Sequence, residues 1–276
     1  MKDESIFLPI EKHLIEEAQK PRRHDAFYPS DASCVVDGKV VGKCLREQYY
    51  KWMGLPQEPI NYRGWVSMRL GSAYENIFLY AYHKQGLLKA QNVPAHAVVM
   101  GLNIRGRLDG LTYAGEGIEV KTGYGAKFVY TVAVAPKLDH LCQIMLYMGI
   151  LGIDTFLLPY GSRDDGGKRV GWRLRKRDIE ASGILLVKIL ARWKTLQKCV
   201  IEKKEPPRDF NIHLDWNCGY CSFMRRCWAQ EEIDKFFADK REKKYVSKKK
   251  GKEVPEEKTA GAGGTAALAT FAAETQ

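Results

Sequence analysis

The stretch Ile118-Glu119-Val120-Lys121-Thr122 carries the sharpest chemistry in the chain. Successive side chains of an extended strand point to opposite faces, so Glu119 and Lys121 project together while Ile118, Val120 and Thr122 share the other side. Asp109, in Gly106-Arg107-Leu108-Asp109-Gly110, comes across from them if Tyr113-Ala114-Gly115-Glu116-Gly117 closes a hairpin. Two carboxylates and a lysine then converge. Paired carboxylates bind a hard cation such as Mg²⁺ and leave positions open for water and phosphate oxygens; the lysine holds the attacking water or balances charge growing on the phosphoryl group. That is the equipment for phosphodiester hydrolysis. Glu-x-Lys by itself is a weak signal, because alternating charges are common on the solvated face of a strand. Asp109 alone reads equally as a turn residue before Gly110.

A second group is built from thiols. Cys218-Gly219-Tyr220-Cys221 followed by Cys227 places three cysteines within ten residues, a compact chelate that is seldom accidental where thiols stay reduced. Three thiolates want a fourth, and Cys34 and Cys44 are the candidates. The spacing suits zinc as well as an iron–sulfur cluster. Cys142 and Cys199 fall on expected core helices, where a free cysteine behaves as a small hydrophobe. His13, His24, His83, His96, His140 and His213 are scattered without ligand spacing, and none is assigned to a metal.

The elements that must position these groups are legible as periodicities. Trp65, Met68, Ala73, Ile77, Tyr80 and Ala81 recur at helical spacing between Tyr62 and Gly86, predicting a helix that carries Glu75. Extended runs follow over 95–100, 104–112 and 117–122, then a helix over Lys137–Leu151, strands over 154–160 and 170–175, and a long helix over 179–201 ending before Pro206-Pro207. Gln143 and Tyr147, four apart, share one face of the second helix. There is no internal repeat. Asp37-Gly38-Lys39 lacks the upstream glycine and the following Ser/Thr of a Walker loop, which argues against an ATP-driven motor.

Asp109 followed by Glu119-Val120-Lys121 resembles the signature of the PD-(D/E)XK nucleases. The resemblance implies that Asp109, Glu119 and the Val120 backbone carbonyl ligate Mg²⁺ or Mn²⁺ while Lys121 assists hydrolysis. Gly71-Ser72-Ala73-Tyr74-Glu75 is similar to the Gly-x-x-x-His/Glu motif of RecB-like and lambda-exonuclease-like members, which implies Glu75 as the third metal-binding side chain. Having Glu at this position is nearer the lambda-exonuclease type. Gln143-x-x-x-Tyr147 resembles a RecB-like motif and implies that this helical face points at the nucleic-acid strand. Gly42-Lys43-Cys44-Leu45-Arg46-Glu47-Gln48-Tyr49-Tyr50 resembles the Cys-x-Arg-x-x-Tyr-Tyr region of AddB and CRISPR-associated RecB-like enzymes. In those relatives one N-terminal and three C-terminal cysteines hold a 4Fe-4S cluster. By that likeness Cys44 joins Cys218, Cys221 and Cys227 in a clasp closing a loop of more than 170 residues, with Zn²⁺ the alternative occupant. The resemblance covers Tyr28 to Trp228, and Val35 to Lys43 looks like an insertion.

What the resemblance implies is an α/β fold, a restriction-endonuclease-like core with a central mixed sheet flanked by helices, plus a helical iron–sulfur subdomain formed by N- and C-terminal segments. The expected division is 1–61 contributing one cluster cysteine, 62–205 the nuclease core, 206–239 the iron–sulfur segment and 240–276 a basic disordered tail. The implied activity is a metal-dependent DNA exonuclease acting on single-stranded ends. The alternatives are a lambda-type duplex-resecting exonuclease, or a non-catalytic DNA-binding adaptor with a structural Cys₄ site; intact Glu75, Asp109, Glu119 and Lys121 argue against the last.

Composition agrees with a polyanionic partner. The 276 residues carry 44 Lys+Arg against 33 Asp+Glu, a formal net charge of +11, which favours nucleic acid. Nine Lys/Arg and four Glu lie between Lys240 and Lys258, so that stretch reads as a phosphate-binding arm or a solubilising tail. The longest apolar stretches, such as Ile144 to Leu151, fall far short of the roughly 18 residues a membrane span needs. The N-terminus lacks the basic start and apolar core of a secretory signal, so the expected location is the cytoplasm, or a host's cytoplasm or nucleoid for a viral protein. A helicase or recombination partner is compatible with this reading, and oligomeric state is left open.

Overall fold

The computed structural model describes residues 8–19, 24–164, 168–180, 183–212 and 216–250. The N-terminal part holds α1 (Leu8–Gln19), a hairpin of β1 (Ser33–Val36) and β2 (Lys39–Gly42), and α2 (Leu45–Trp52). The central part runs α3 (Tyr62–Lys84), β3 (Leu88–Val99), β4 (Leu102–Thr112), β5 (Gly117–Ile118), β6 (Lys121–Gly123), α4 (Gly125–Val134) and α5 (Leu138–Leu151). It continues with β7 (Thr155–Ser162), β8 (Arg169–Arg175), α6 (Lys176–Glu180) and α7 (Gly183–Glu202), and the C-terminal part adds α8 (Met224–Cys227) and α9 (Gln230–Lys250).

Local chemistry sets many of the boundaries. Asn61 caps α3 by accepting the Gly64 N–H at 2.8 Å. Gly152 ends α5 in the left-handed region, φ 65°, as a residue just past a helix commonly does. Asp37-Gly38, with φ of 49° and 69°, makes the tight turn between β1 and β2, so the stretch read as an insertion is a hairpin.

β3 and β4 pair antiparallel, β4 pairs β5 antiparallel, β5 and β6 both run parallel to β7, and β8 returns antiparallel to β7. The result is the mixed sheet flanked by helices that the sequence implies. On one side, α5 and α7 bring Ile144, Leu146, Ile189, Trp193 and Leu196 against Ile104, Leu108, Phe156 and Leu158. On the other, α3 brings Leu79, Phe78 and Tyr82 against Leu88, Ile118, Val120 and Leu157. Alternation along β5 to β6 therefore falls as expected, with Ile118 and Val120 packed towards α3.

Two features differ from the sequence reading. The apolar stripe that signals α3 lies largely on its solvent side: Met68 is 62% exposed, Ile77 69% and Tyr80 61%. The packed side is formed instead by Tyr74, Phe78, Leu79 and Tyr82. Secondly, α9 remains helical to Lys250, so the first part of the stretch expected to be disordered is helix; 251–276 lies outside the described residues. The N-terminal segment also shares the main core, through Phe27, Cys34, Leu45, Tyr49 and Tyr50. No helix among the described residues is long and apolar enough to cross a membrane.

Candidate active site and cysteine cavity

The acidic residues meet where two strands part. β4 and β5 pair only at Gly110↔Ile118 and Leu111↔Gly117. Beyond that contact the Asp109 side chain takes over from the ladder, its Oδ2 accepting the Val120 N–H at 2.8 Å. This interrupts the expected strand at Glu119 and Val120, between β5 and β6. Glu119 is buried, and its Oε1 accepts from Lys121 Nζ and from Gln143 Nε2, both at 2.8 Å. Lys121 Nζ donates a further 2.8 Å bond to Gln143 Oε1, closing a three-membered network between β6 and α5. Glu119 and Lys121 thus do project together. Val120 points the other way, into the cluster under α3.

Like charge is concentrated here. Burial first, then the Glu119 and Glu75 carboxylates, push Asp109 up to about 8 against the opposing pull of the Val120 N–H and Lys121. Burial and Glu119 likewise raise Glu75, opposed by Arg107 and Lys121. Burial works to lower Lys121, but Glu119 outweighs it, and the ammonium is held more firmly than in water. Arg107 belongs to none of the motifs legible in the sequence, yet its charge acts on Glu75. It stands two residues before Asp109, and side chains at i and i+2 share a strand face, which is the signal that could have found it.

Gln143 and Tyr147 are not at a surface. Gln143 is 7% exposed and Tyr147 2%, so the helical face on which a substrate contact is expected is turned into the core. Gln143 orients Glu119 and Lys121. The Tyr147 hydroxyl donates to the Arg107 carbonyl at 3.0 Å and accepts the Arg107 N–H at 3.3 Å, bracing β4 just before Asp109.

The four predicted cluster cysteines, Cys44, Cys218, Cys221 and Cys227, line one cavity of about 100 Å³. Cys44 precedes α2, whose first N–H, from Leu45, donates to Asp209 Oδ2 at 2.6 Å; Arg192 holds the same carboxylate at 2.7 Å. Arg46 Nε donates to the Pro206 carbonyl at 2.8 Å and its Nη1 reaches Cys227 Sγ at 4.0 Å, while the Tyr50 hydroxyl donates to Glu205 at 3.2 Å. The cavity is therefore walled by the start of α2 and the segment after α7, tied across each other. Cys34 lies elsewhere: its sulfur is 3.7 Å from that of Cys142 in the core. Cys199 packs partly buried against the main core.

Among the described residues, no group of three or more His, Cys, Asp or Glu side chains is gathered to hold a metal ion. Glu119 Oε1 is engaged by Lys121 and Gln143, and Asp109 by Val120. The donor chemistry still fits the implied groups. Glu119 Oε2 is buried without a hydrogen-bond partner, and burial together with the Glu119 charge raises the Asp109 and Glu75 carboxyls, a situation that a hard cation relieves. Four sulfurs around one cavity suit a thiophilic metal or an iron–sulfur cluster.

A family model described as the PD-(D/E)XK nuclease superfamily matches residues 39–228. No curated protein matches significantly. Among solved structures, the chain is similar to SSO0001, at 18% identity over 81% of this chain and 96% of that one, with a TM-score of 0.48. It is also similar to an alkaline exonuclease, LHK-Exo, from Laribacter hongkongensis, at 14% identity over 70% and 95% of the two chains and a TM-score of 0.46. For LHK-Exo in complex with dAMP the identity is 15% over 58% and 80%, with a TM-score of 0.42. These likenesses are too distant to transfer a function.

Proposed function

Because the chain belongs to the PD-(D/E)XK nuclease superfamily, we propose that it is a Mg²⁺- or Mn²⁺-dependent deoxyribonuclease that degrades single-stranded DNA from an end, with a 4Fe-4S cluster held by Cys44, Cys218, Cys221 and Cys227. The observation that carries the catalytic part is the buried, unpartnered Glu119 Oε2 set among Asp109, Glu75 and the Lys121–Gln143 pair. Glu75, Asp109, Glu119 and the Val120 carbonyl are the groups that would hold the divalent ion, which would supply Lewis acidity at the phosphoryl oxygens. Lys121 supplies a fixed positive charge beside the reacting phosphate, and Gln143 keeps both Lys121 and Glu119 in one rotamer. Arg107, whose charge opposes the rise of the Glu75 carboxyl, adds a cation to this group.

The cluster part rests on four cysteines lining one cavity between α2 and the segment after α7. There the cysteines would act as a clasp, joining α2 to the segment after α7. The end-directed, single-strand preference rests on the sequence resemblance.

The test offers purified, iron-loaded protein end-labelled single- and double-stranded DNA with Mg²⁺, Mn²⁺ or chelator. The expected result is metal-dependent shortening of the single strand, abolished by chelator and by Glu119→Ala. Preferential resection of the duplex would replace the single-strand reading with the lambda-type one. Cleavage by Glu119→Ala equal to that of the wild type would overturn the catalytic assignment.

A further inference from the structure

Immediately beyond β6 the chain presents an aromatic ring and a guanidinium that the catalytic network does not use. Tyr124 precedes the first residue of α4 and is 43% exposed. It lies three residues past Lys121, roughly 10 Å of extended chain. Arg163, just past the end of β7, places its Cζ 4.3 Å from the centre of the Tyr124 ring. The stack is built in from three sides. The Arg163 N–H donates to the Gly123 carbonyl at 2.9 Å, its Nη1 donates to the Ser67 carbonyl and hydroxyl on α3, and Tyr124 is fixed between β6 and α4. Arg163 Nε is buried and meets no acceptor. Among the described residues no carboxylate forms an ion pair with this guanidinium. The neighbouring Asp164 is turned instead to the Gly125 N–H, at 2.7 Å, and the Ser162 hydroxyl, at 2.6 Å.

Position adds the second argument. β6 and β7 are parallel neighbours, and Gly123 and Ser162 are register partners at their carboxyl ends. In sheets with parallel strands, ligands gather outside those ends. Proteins that hold unpaired nucleotides use exposed aromatic faces next to cations, because every base has a π-face and every linkage a negative charge. A paired base is already stacked within its duplex and gains little from such a ring.

We propose that Tyr124 and Arg163 form a stacking clamp for an unpaired nucleotide of single-stranded DNA adjacent to the scissile phosphate, with the base on the open face of Tyr124 and the neighbouring phosphate drawn to the guanidinium. This rests on the nuclease reading above and gives it a substrate-positioning surface. Tyr124 is a substrate-binding residue and Arg163 both supports its ring and supplies charge.

The experiment measures binding of a fluorescein-labelled oligothymidylate, and of a duplex of equal length, in chelator at two salt concentrations, together with metal-dependent cleavage and thermal unfolding. Tyr124→Ala is expected to weaken oligothymidylate binding roughly tenfold and duplex binding little, with Tyr124→Phe within about twofold of wild type. Arg163→Gln should reduce the slope of log affinity against log salt by about 0.7, the value for one phosphate on a single strand. Tyr113, exposed in the turn after β4, is the control, and Tyr113→Ala should bind as wild type. Unchanged oligothymidylate affinity in Tyr124→Ala overturns the clamp; if wild-type cleavage is normal, the nuclease reading stands without it. A lowered melting temperature with unchanged binding also overturns it and leaves the stack as a structural tie. If no ion supports cleavage by the wild type yet Tyr124→Ala loses oligothymidylate and Tyr124→Phe retains it, the clamp stands and the nuclease reading fails.

Discussion

Gln143 donates to Glu119 and accepts from Lys121 inside the core, so Gln143→Leu leaves two buried charged groups each short of a partner, at a cost of about 1–3 kcal/mol. A positioning role predicts a fall in kcat of about 100-fold with DNA affinity unchanged. A substrate-contact role predicts a rise in KM, and that split in steady-state kinetics decides between them. His140 offers a test of a different kind. Burial lowers it to about 4 despite Asp139, with Lys121 and Lys137 also opposing its charge; its Nδ1 lies 2.9 Å from the Tyr160 hydroxyl. Its folded value is below the usual imidazole value, so the unfolded chain binds the proton first. Stability should fall as pH drops from about 6.5 to about 4, by about 3 kcal/mol. His140→Gln should flatten that limb of a denaturation series, and an unchanged limb would show that other groups carry it.

At the scale of elements, the site depends on how closely β4 approaches α5. A Cβ at Gly106 would stand 2.8 Å from Tyr147 Cε1 and 3.0 Å from Pro29 Cδ. Tyr147 cannot retreat easily, because its hydroxyl is committed twice to Arg107. Gly106→Ala is therefore expected to destabilise the fold by about 1–3 kcal/mol and to displace Asp109 enough to lower cleavage. Chemical denaturation and kinetics on one preparation check both; unchanged stability would mean that the strand has slack. The periodicity of α3 shows how an element can be right and its orientation wrong. Met68, Ile77 and Tyr80 mark a helix, yet the aromatic side with Tyr74 and Phe78 packs on the sheet. Both faces carry apolar residues, so hydrophobic spacing could not choose between them.

For the molecule as a whole, the cysteine cavity closes the chain on itself. Cys44→Ala should lower iron content and the unfolding temperature together, whereas Cys34→Ala should keep the iron because Cys34 lies against Cys142. Iron and sulfide analysis with visible absorbance checks this, and one zinc per colourless chain would assign the cavity to the simpler metal. The net charge of +11 predicts a sequence-independent, salt-sensitive component of DNA binding. Removing 251–276 takes away Lys252 and Lys258 but also four Glu, so it should change that component little. A large loss of affinity on that truncation would assign a binding role to the C-terminus beyond its charge.

Residue types, spacing and period were enough to determine the helix–strand order of the core and the pairing of Glu119 with Lys121 on one strand face. Each depends on local geometry or on a short run of chain. Tertiary structure alone decided that Gln143 and Tyr147 face inward, since an i, i+4 pair marks a shared helical face but not which neighbour that face meets. It also decided that Asp109 interrupts the strand at Val120, because a side chain can replace a ladder hydrogen bond only once two strands have diverged. The Tyr124–Arg163 stack is of the same kind. Its members are far apart in sequence and meet only because β6 and β7 run parallel and end together.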